Sequence, residues 1–306
     1  MRNLEPVADD EMGMAKIVFS YQTREEWDEP MSAFLETRDY GSDFPVSAFY
    51  AENNNFLAHW HIDVEMVLVC QGSIRIGINK EARILNQGEM AVFRSTDIHY
   101  YDSRDLRSTV IVLIFRPDLV GSPGGWPEPR QFVSPFLDRT SLAELTAPSR
   151  EAIRGLFYEI FHELQAGQPF YRLYVGGKLA ELCALILRHF PTVPAPAAQN
   201  GKMPDIRRIQ NAIQYLENHY TEELSLADIA REARLSPYYF SRLFAKFTGI
   251  PFKEYLTRIR VAQAERMIQT NPKSMIEVAF ECGFNSVRTF NRSFKAVKGY
   301  PPSKPE

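Results

Sequence analysis

ECGFNSVRTFNRSFKAVKGYPP, residues 281–302, is the stretch from which the rest of the chain is read. Its Phe290, Arg292, Phe294, Gly299 and Pro301 repeat Phe240, Arg242, Phe244, Gly249 and Pro251 of REARLSPYYFSRLFAKFTGIPF, residues 231–252. A repeat at a fixed offset marks one supersecondary unit used twice. Phe240, Leu243, Phe244 and Phe247 share one face at helical spacing and form a core. Each copy is preceded by a short helix with a small residue in its middle, Ala230 in LSLADIAREARLS and Ala279 in SMIEVAFECGFNS. Two short helices that cross closely at a tight turn need such a residue, and a glycine in the turn accepts positive φ. Gly283 supplies it in the second copy; the first has Arg234, which predicts a less regular turn. Ser236 before Pro237 reads as an N-cap with proline at the first helical position, and Asn285 or Ser286 caps the matching helix. Each copy is a helix-turn-helix.

The opposite face of each second helix is polar: Tyr238, Ser241, Arg242 and Ala245 in one copy, Arg288, Asn291, Arg292 and Lys295 in the other. An arginine fork matches guanine O6 and N7, an asparagine matches adenine N6 and N7, and an apolar edge meets a thymine methyl. Arg288 and Asn291 are the foremost candidate base readers, with Tyr238, Ser241, Arg242, Val287 and Arg292 next. Lys246, Lys295 and Lys298 suit phosphate, which gives affinity without sequence information. The connecting helix, from about Phe252 to Gln269, is roughly 27 Å long, enough to set two recognition helices into successive major grooves.

Charge is divided along the chain. From Lys202 to Glu306 there are 17 Lys+Arg against 11 Asp+Glu, or +6, which leaves −9 of the overall −3 for the residues before it. A basic module joined to an acidic one fits a polyanion-binding unit attached to a domain with another task. The length of 306 residues also favours two compact units. PTVPAPAAQNGKMP, residues 191–204, is rich in proline and small residues and separates them as a linker. Upstream, Val/Ile-rich runs at Glu65–Cys70, Ser73–Asn79, Gly88–Phe93 and Thr109–Phe115 predict an antiparallel barrel or sandwich. After Pro148, Ile153, Leu156, Phe157, Ile160 and Phe161, then Leu179, Leu182 and Ile186, predict two helices whose stripes pack on the sheet or on a second copy. Cys70, Cys183 and Cys282 are too few and too scattered for a disulfide framework, and no apolar run spans a bilayer. A cytoplasmic protein with no membrane partner is expected. The fold class is α+β: residues 1–190 a sensing and dimerisation domain built on an antiparallel β-barrel plus two helices, 191–204 the linker, and 205–306 an all-α double helix-turn-helix.

From about Ile206 to Pro302 the chain resembles the DNA-binding domain of the AraC/XylS family, whose signature of Gly-Phe, Ser, Phe-x-Arg-x-Phe-Lys, Gly and Pro is met at Gly283, Phe284, Ser286, Phe290 to Lys295, Gly299 and Pro301. The ending PPSKPE departs from the Tyr-Arg usual after the proline and serine. The resemblance implies bipartite major-groove recognition of double-stranded DNA by a homodimeric regulator, usually an activator that also touches RNA polymerase.

A second constellation lies in AHWHIDVEMVLVCQG, residues 58–72, and GEMAVFRSTDIH, residues 88–99. On an extended strand His59 and His61 point to one side and Trp60 to the other. With Glu65 and His99 they make a set of three imidazoles and one carboxylate, and Tyr101 lies two residues beyond His99 on the same side. These runs resemble the two cupin motifs. That resemblance implies two uses: a site for iron, manganese, nickel or zinc, or a pocket for a small ligand such as a sugar, as in AraC-type sensors. The second is the reading adopted, with His59, His61, Glu65, His99 and Tyr101 lining the pocket, Arg94 and Trp60 as further candidates, and no cofactor. The chain is thus expected to be a regulator controlled by a small-molecule effector and not an enzyme; the alternative is a metal-dependent cupin enzyme with an accessory helical tail.

Overall fold

The computed structural model describes residues 44–123, 125–127, 129–194, 203–270 and 273–302. The first 43 residues, most of the linker and the final SKPE lie outside the described residues. Eight strands make the N-terminal sheet: β1 (Val46–Glu52), β2 (Phe56–His59), β3 (Val64–Ile78), β4 (Glu81–Asn86), β5 (Met90–Phe93), β6 (His99–Asp102), β7 (Ser108–Phe115) and β9 (Phe136–Leu137). All of their pairings are antiparallel.

Two expectations are corrected here. Glu65–Cys70 and Ser73–Asn79 are not separate strands but the two halves of β3, joined through a bulge between Val69 and Gln71. The first half pairs with β5 and β7, and the second with β4 and β6, so one bent strand serves two sheets. Nor is the barrel closed. The main path runs β1-β7-β3-β5-β9, and among the described residues its outer strands do not meet. β5 and β9, four and two residues long, are too short to carry the sheet round. Alternation along β3 divides the core. Val64, Met66 and Leu68 join Leu113 and the helices, while Val67, Val69, Ile74 and Ile76 meet Phe93, Val112 and Ile114 between the sheets.

α1 (Arg139–Ala143) is a short helix, and α2 (Ala147–Ala166) and α3 (Tyr171–His189) are the two expected ones. Their stripes, Ile153, Leu156, Phe157 and Ile160 with Leu179, Leu182 and Ile186, are buried on the sheet. Within the expected linker, β10 (Thr192–Pro194) pairs with β8 (Arg130–Phe132), and the Arg130 guanidinium donates to the Thr192 carbonyl at 2.7 Å. Proline at the end of an edge strand loses no ladder bond, which is why a proline-rich stretch forms one here.

The C-terminal part consists of α4 (Asp205–Asn218), α5 (Leu226–Glu232), α6 (Pro237–Thr248), α7 (Phe252–Thr270), α8 (Met275–Glu281) and α9 (Val287–Lys298). Ser236 accepts from the Tyr239 amide and Ser286, rather than Asn285, accepts from Thr289. Ser225 with Asp228 and Ser274 with Glu277 form full capping boxes at the heads of α5 and α8. The Arg234 turn is not less regular than its counterpart. Arg234 takes φ +54° where Gly283 takes +81°. Leu235 N–H donates to Ala230 O at 2.9 Å, and Phe284 N–H to Ala279 O at 3.0 Å. Gly283 has a separate reason to be glycine, because a Cβ there would lie 2.8 Å from Thr221 Cα and from the carbonyls of Tyr220 and Thr221.

The first helix-turn-helix shares its core with the sheet. Ala58, Trp60, Ile98 and Tyr100 belong to the same buried cluster as Ile213, Phe240, Phe244, Phe247 and Tyr255. The Tyr255 hydroxyl, fully buried, donates to the Ala58 carbonyl at 2.7 Å, and the Gln210 amide donates to the Thr96 carbonyl at 2.9 Å. The second helix-turn-helix has its own core of Val261, Ala264, Val278, Ala279, Phe290 and Phe294.

Candidate functional site

Two sites emerge, one exposed and one buried. On α6, Phe240, Leu243, Phe244 and Phe247 turn inward, which leaves Tyr238, Ser241, Arg242 and Lys246 exposed. The Arg242 guanidinium lies 5.7 Å from the Tyr238 ring centre, a pairing that stiffens both. On α9, Phe290 and Phe294 are buried, Arg288, Asn291, Arg292 and Lys295 are exposed, and Val287 is half-buried. α7 joins the two, so one rigid rod carries both outward faces. Lys298 differs from the other lysines: it is half-buried and paired with Glu265 of α7.

The buried site lies between the sheets. His59 ends β2, His99 opens β6, Glu65 sits on β3 and His61 in the turn before it. All four side chains are 1–2% exposed. The rings of His59 and His99 are 4.1 Å apart and those of His61 and His99 5.0 Å. Each imidazole binds a backbone carbonyl through Nδ1: His59 that of Leu57 at 3.0 Å, His61 that of Asp63 at 3.0 Å and His99 that of Asp97 at 2.9 Å. A carbonyl can only accept, so each Nδ1 carries a proton and Nε2 is the nitrogen facing the centre. There Glu65 Oε2 lies 3.0 Å from His61 Nε2 and 3.5 Å from His99 Nε2. Tyr101 donates its hydroxyl to Glu65 Oε1, and Phe93 stacks on His99 at 4.4 Å. Burial, then His99, push the His59 imidazole well below its usual value. Burial pushes Glu65 up, but His99 and the bond from His61 outweigh it and hold the carboxyl well below the usual range. One donor atom from each of the four residues lies within 4.8 Å of the others, a grouping that could hold a metal ion.

The two further candidates lie elsewhere. Trp60 points away from the imidazoles into the shared core with the first helix-turn-helix, and Arg94 is held by Asp97 at 3.0 Å and Gln131 at 3.1 Å. What sequence reasoning missed is the contact surface of Ala58, Trp60, Ile98 and Tyr100. The available signal was the alternation itself, since a strand with polar groups on one face and apolar groups on the other needs a partner for the second.

Residues 44–183 match the family model described as the AraC-like ligand binding domain, and residues 229–304 match the model of a helix-turn-helix domain. The HTH-type transcriptional activator AarP of Providencia stuartii is 34% identical over 95 residues, 31% of this chain and 70% of AarP. The chain belongs to the AraC family of transcriptional regulators. Another member, the HTH-type transcriptional activator RhaS of Klebsiella pneumoniae, is 22% identical over 251 residues, 81% of this chain and 86% of RhaS. The regulatory protein PocR of Salmonella typhimurium is 33% identical over 102 residues, and the chain spans about a third of its length, 34%. Among solved structures, ToxT of Vibrio cholerae O395 is similar over 84% of this chain and 95% of that one, at 12% identity and a TM-score of 0.37. Among the described residues, no helix is long and apolar enough to cross a membrane.

Proposed function

We propose that this AraC-family chain is a sequence-specific DNA-binding transcriptional regulator, an activator, controlled by an effector bound in its N-terminal part. The observation that carries the reading is the pair of exposed polar faces on α6 and α9 held by the single rod α7. Two such faces suit successive major grooves on one side of a duplex. Arg288 and Asn291 read bases, helped by Tyr238, Ser241, Arg242, Val287 and Arg292, while Lys246 and Lys295 bind phosphate. Lys298, already paired with Glu265, contributes less. The buried histidine–carboxylate cluster, with Tyr101, receives the effector. The regulator reading fits better than a cupin enzyme because the helical tail is matched to its own family and is packed into the sheet, not merely attached to it.

The protein acts as a homodimer in the cytoplasm, and its surface engages RNA polymerase as an activator's does. Support for self-association comes from α3, where Leu173, Gly177, Ala180 and Leu187 are exposed along one face. Small residues between two leucines allow a second helix to approach closely. Leu173→Glu should turn a dimer into a monomer in light scattering, and a wild-type monomer at micromolar concentration would remove the dimer. Gel-shift titration of the full chain on its own upstream region, against scrambled DNA of equal length, tests the main reading. A preference of at least about a thousandfold is expected for a specific site, and equal affinity for both would reject it.

A further inference from the structure

We propose that Arg260 is the positioning residue that fixes the angle between the two helix-turn-helix units, and so sets which spacing between two half-sites the protein accepts. The inference rests on the regulator reading above and adds what makes such a protein selective for spacing as well as for base sequence.

Arg260 stands on α7 where the rod passes from one core to the other. Phe252, Tyr255, Leu256 and Ile259 belong to the core of the first unit, and Val261, Ala264 and Ile268 to that of the second. The half-buried side chain reaches across this boundary. Its Nε donates to the Tyr220 carbonyl at 2.7 Å, and Nη2 donates to the Glu222 carbonyl at 2.7 Å. Both carbonyls lie in the segment between α4 and α5. The same guanidinium lies 6.0 Å from the ring centre of Phe284, in the turn between α8 and α9.

Both ends of this strut are anchored. Tyr215 of α4 packs against the first core and stacks on His219 at 4.1 Å, and His219 is paired with Glu222 at 2.8 Å, so the segment moves with the first unit. Phe284 is buried and meets Phe290 of α9 at 5.3 Å, one residue before the exposed Asn291. Gly283 closes the joint, since a Cβ there would lie 2.8 Å from Thr221 Cα. A continuous line of contacts therefore runs from α4 through Arg260 to the reading helix α9.

The chemistry asks for arginine. Its planar fork aims two charge-assisted bonds at two carbonyls while its face lies against an aromatic ring, which the single ammonium of lysine does not reproduce. Without the strut, the two units would be joined by a helix of 19 residues, and helices of that length curve. Two reading helices on a rigid joint gain most from a site whose spacing matches theirs, and lose that gain when the geometry forbids both from engaging.

The test measures the affinity of the full chain for its preferred site and for the same site with one base pair inserted or removed between the two half-sites. One base pair moves the second half-site by about 3.4 Å along the duplex and about 35° around it. Wild type should lose at least about thirtyfold on either change. Arg260→Lys, and Phe284→Leu to a smaller degree, should narrow that ratio, the first at least about fivefold. Binding of an isolated half-site should stay within about twofold of wild type. A wild type indifferent to one base pair, or variants that weaken on every DNA alike, as loss of stability alone would cause, would overturn the proposal. So would uniform weakening with a salt slope lower by about 1, which marks a phosphate contact. Distances between spin labels at Lys246→Cys and Lys295→Cys, taken without DNA, read the joint itself. One narrow distribution is expected, broadened by Arg260→Lys; equal widths would overturn the strut. Absence of any sequence-specific DNA binding would reject the regulator reading, while the label distances would still decide the joint. The wild-type spacing profile stands whether or not a variant folds.

Discussion

Arg288 and Lys295 stand two turns apart on the exposed face of α9 and have different chemistry to offer DNA. A guanidinium distinguishes one base edge from another, whereas an ammonium senses only charge. Arg288→Ala should cost about 1 to 3 kcal/mol on the preferred sequence and relax preference at one base position. Lys295→Ala should weaken all sequences alike and lower the salt slope by about 1. Equal effects of the two on every sequence, measured by anisotropy at several salt concentrations, would contradict these roles. Lys298→Ala should change the slope less than Lys295→Ala, because its charge is already met by Glu265. That difference was not legible in the sequence, where the two lysines look alike; the partner comes from a helix more than thirty residues away, at 265.

The helices themselves could be read closely. The fifty-residue repeat, the two buried alanines and the serine caps place α5, α6, α8 and α9, because their determinants are local. Ser274→Ala, which removes half of a capping box, should destabilise the second helix-turn-helix by about 1 kcal/mol, seen as an earlier transition in urea. The two turns separate backbone strain from packing. Gly283→Ala places a methyl 2.8 Å from backbone atoms at positive φ and should cost about 2 kcal/mol or more. Arg234→Gly at the same kind of position should stay within about 1 kcal/mol of wild type. Similar losses for both would show that the Thr221 contact carries no weight. The sheet was harder to read. Its strand content followed from Val/Ile runs, but the continuity of β3 depends on a change of partner at the bulge, a long-range choice with no local signature. The open edge likewise depends on which distant strands are too short to pair.

At the scale of the whole molecule, the chain was expected to be two bodies on a linker, yet part of the first helix-turn-helix core comes from the sheet. The imidazole set could be listed from the sequence; its convergence within 4.8 Å and its position behind the docking surface could not, because both arise from pairing between β2, β3 and β6. One consequence is geometric. With the first helix-turn-helix held by the sheet and the second carried outward on α7, a single chain should present two reading helices at a fixed spacing. Hydroxyl-radical footprinting of the full chain on its preferred site measures this directly. Two protected windows are expected on one face of the duplex, centred about 10 base pairs apart, with the window assigned to α9 lost in Arg288→Ala. A single window, or uniform weak protection that moves with salt but not with sequence, would contradict it.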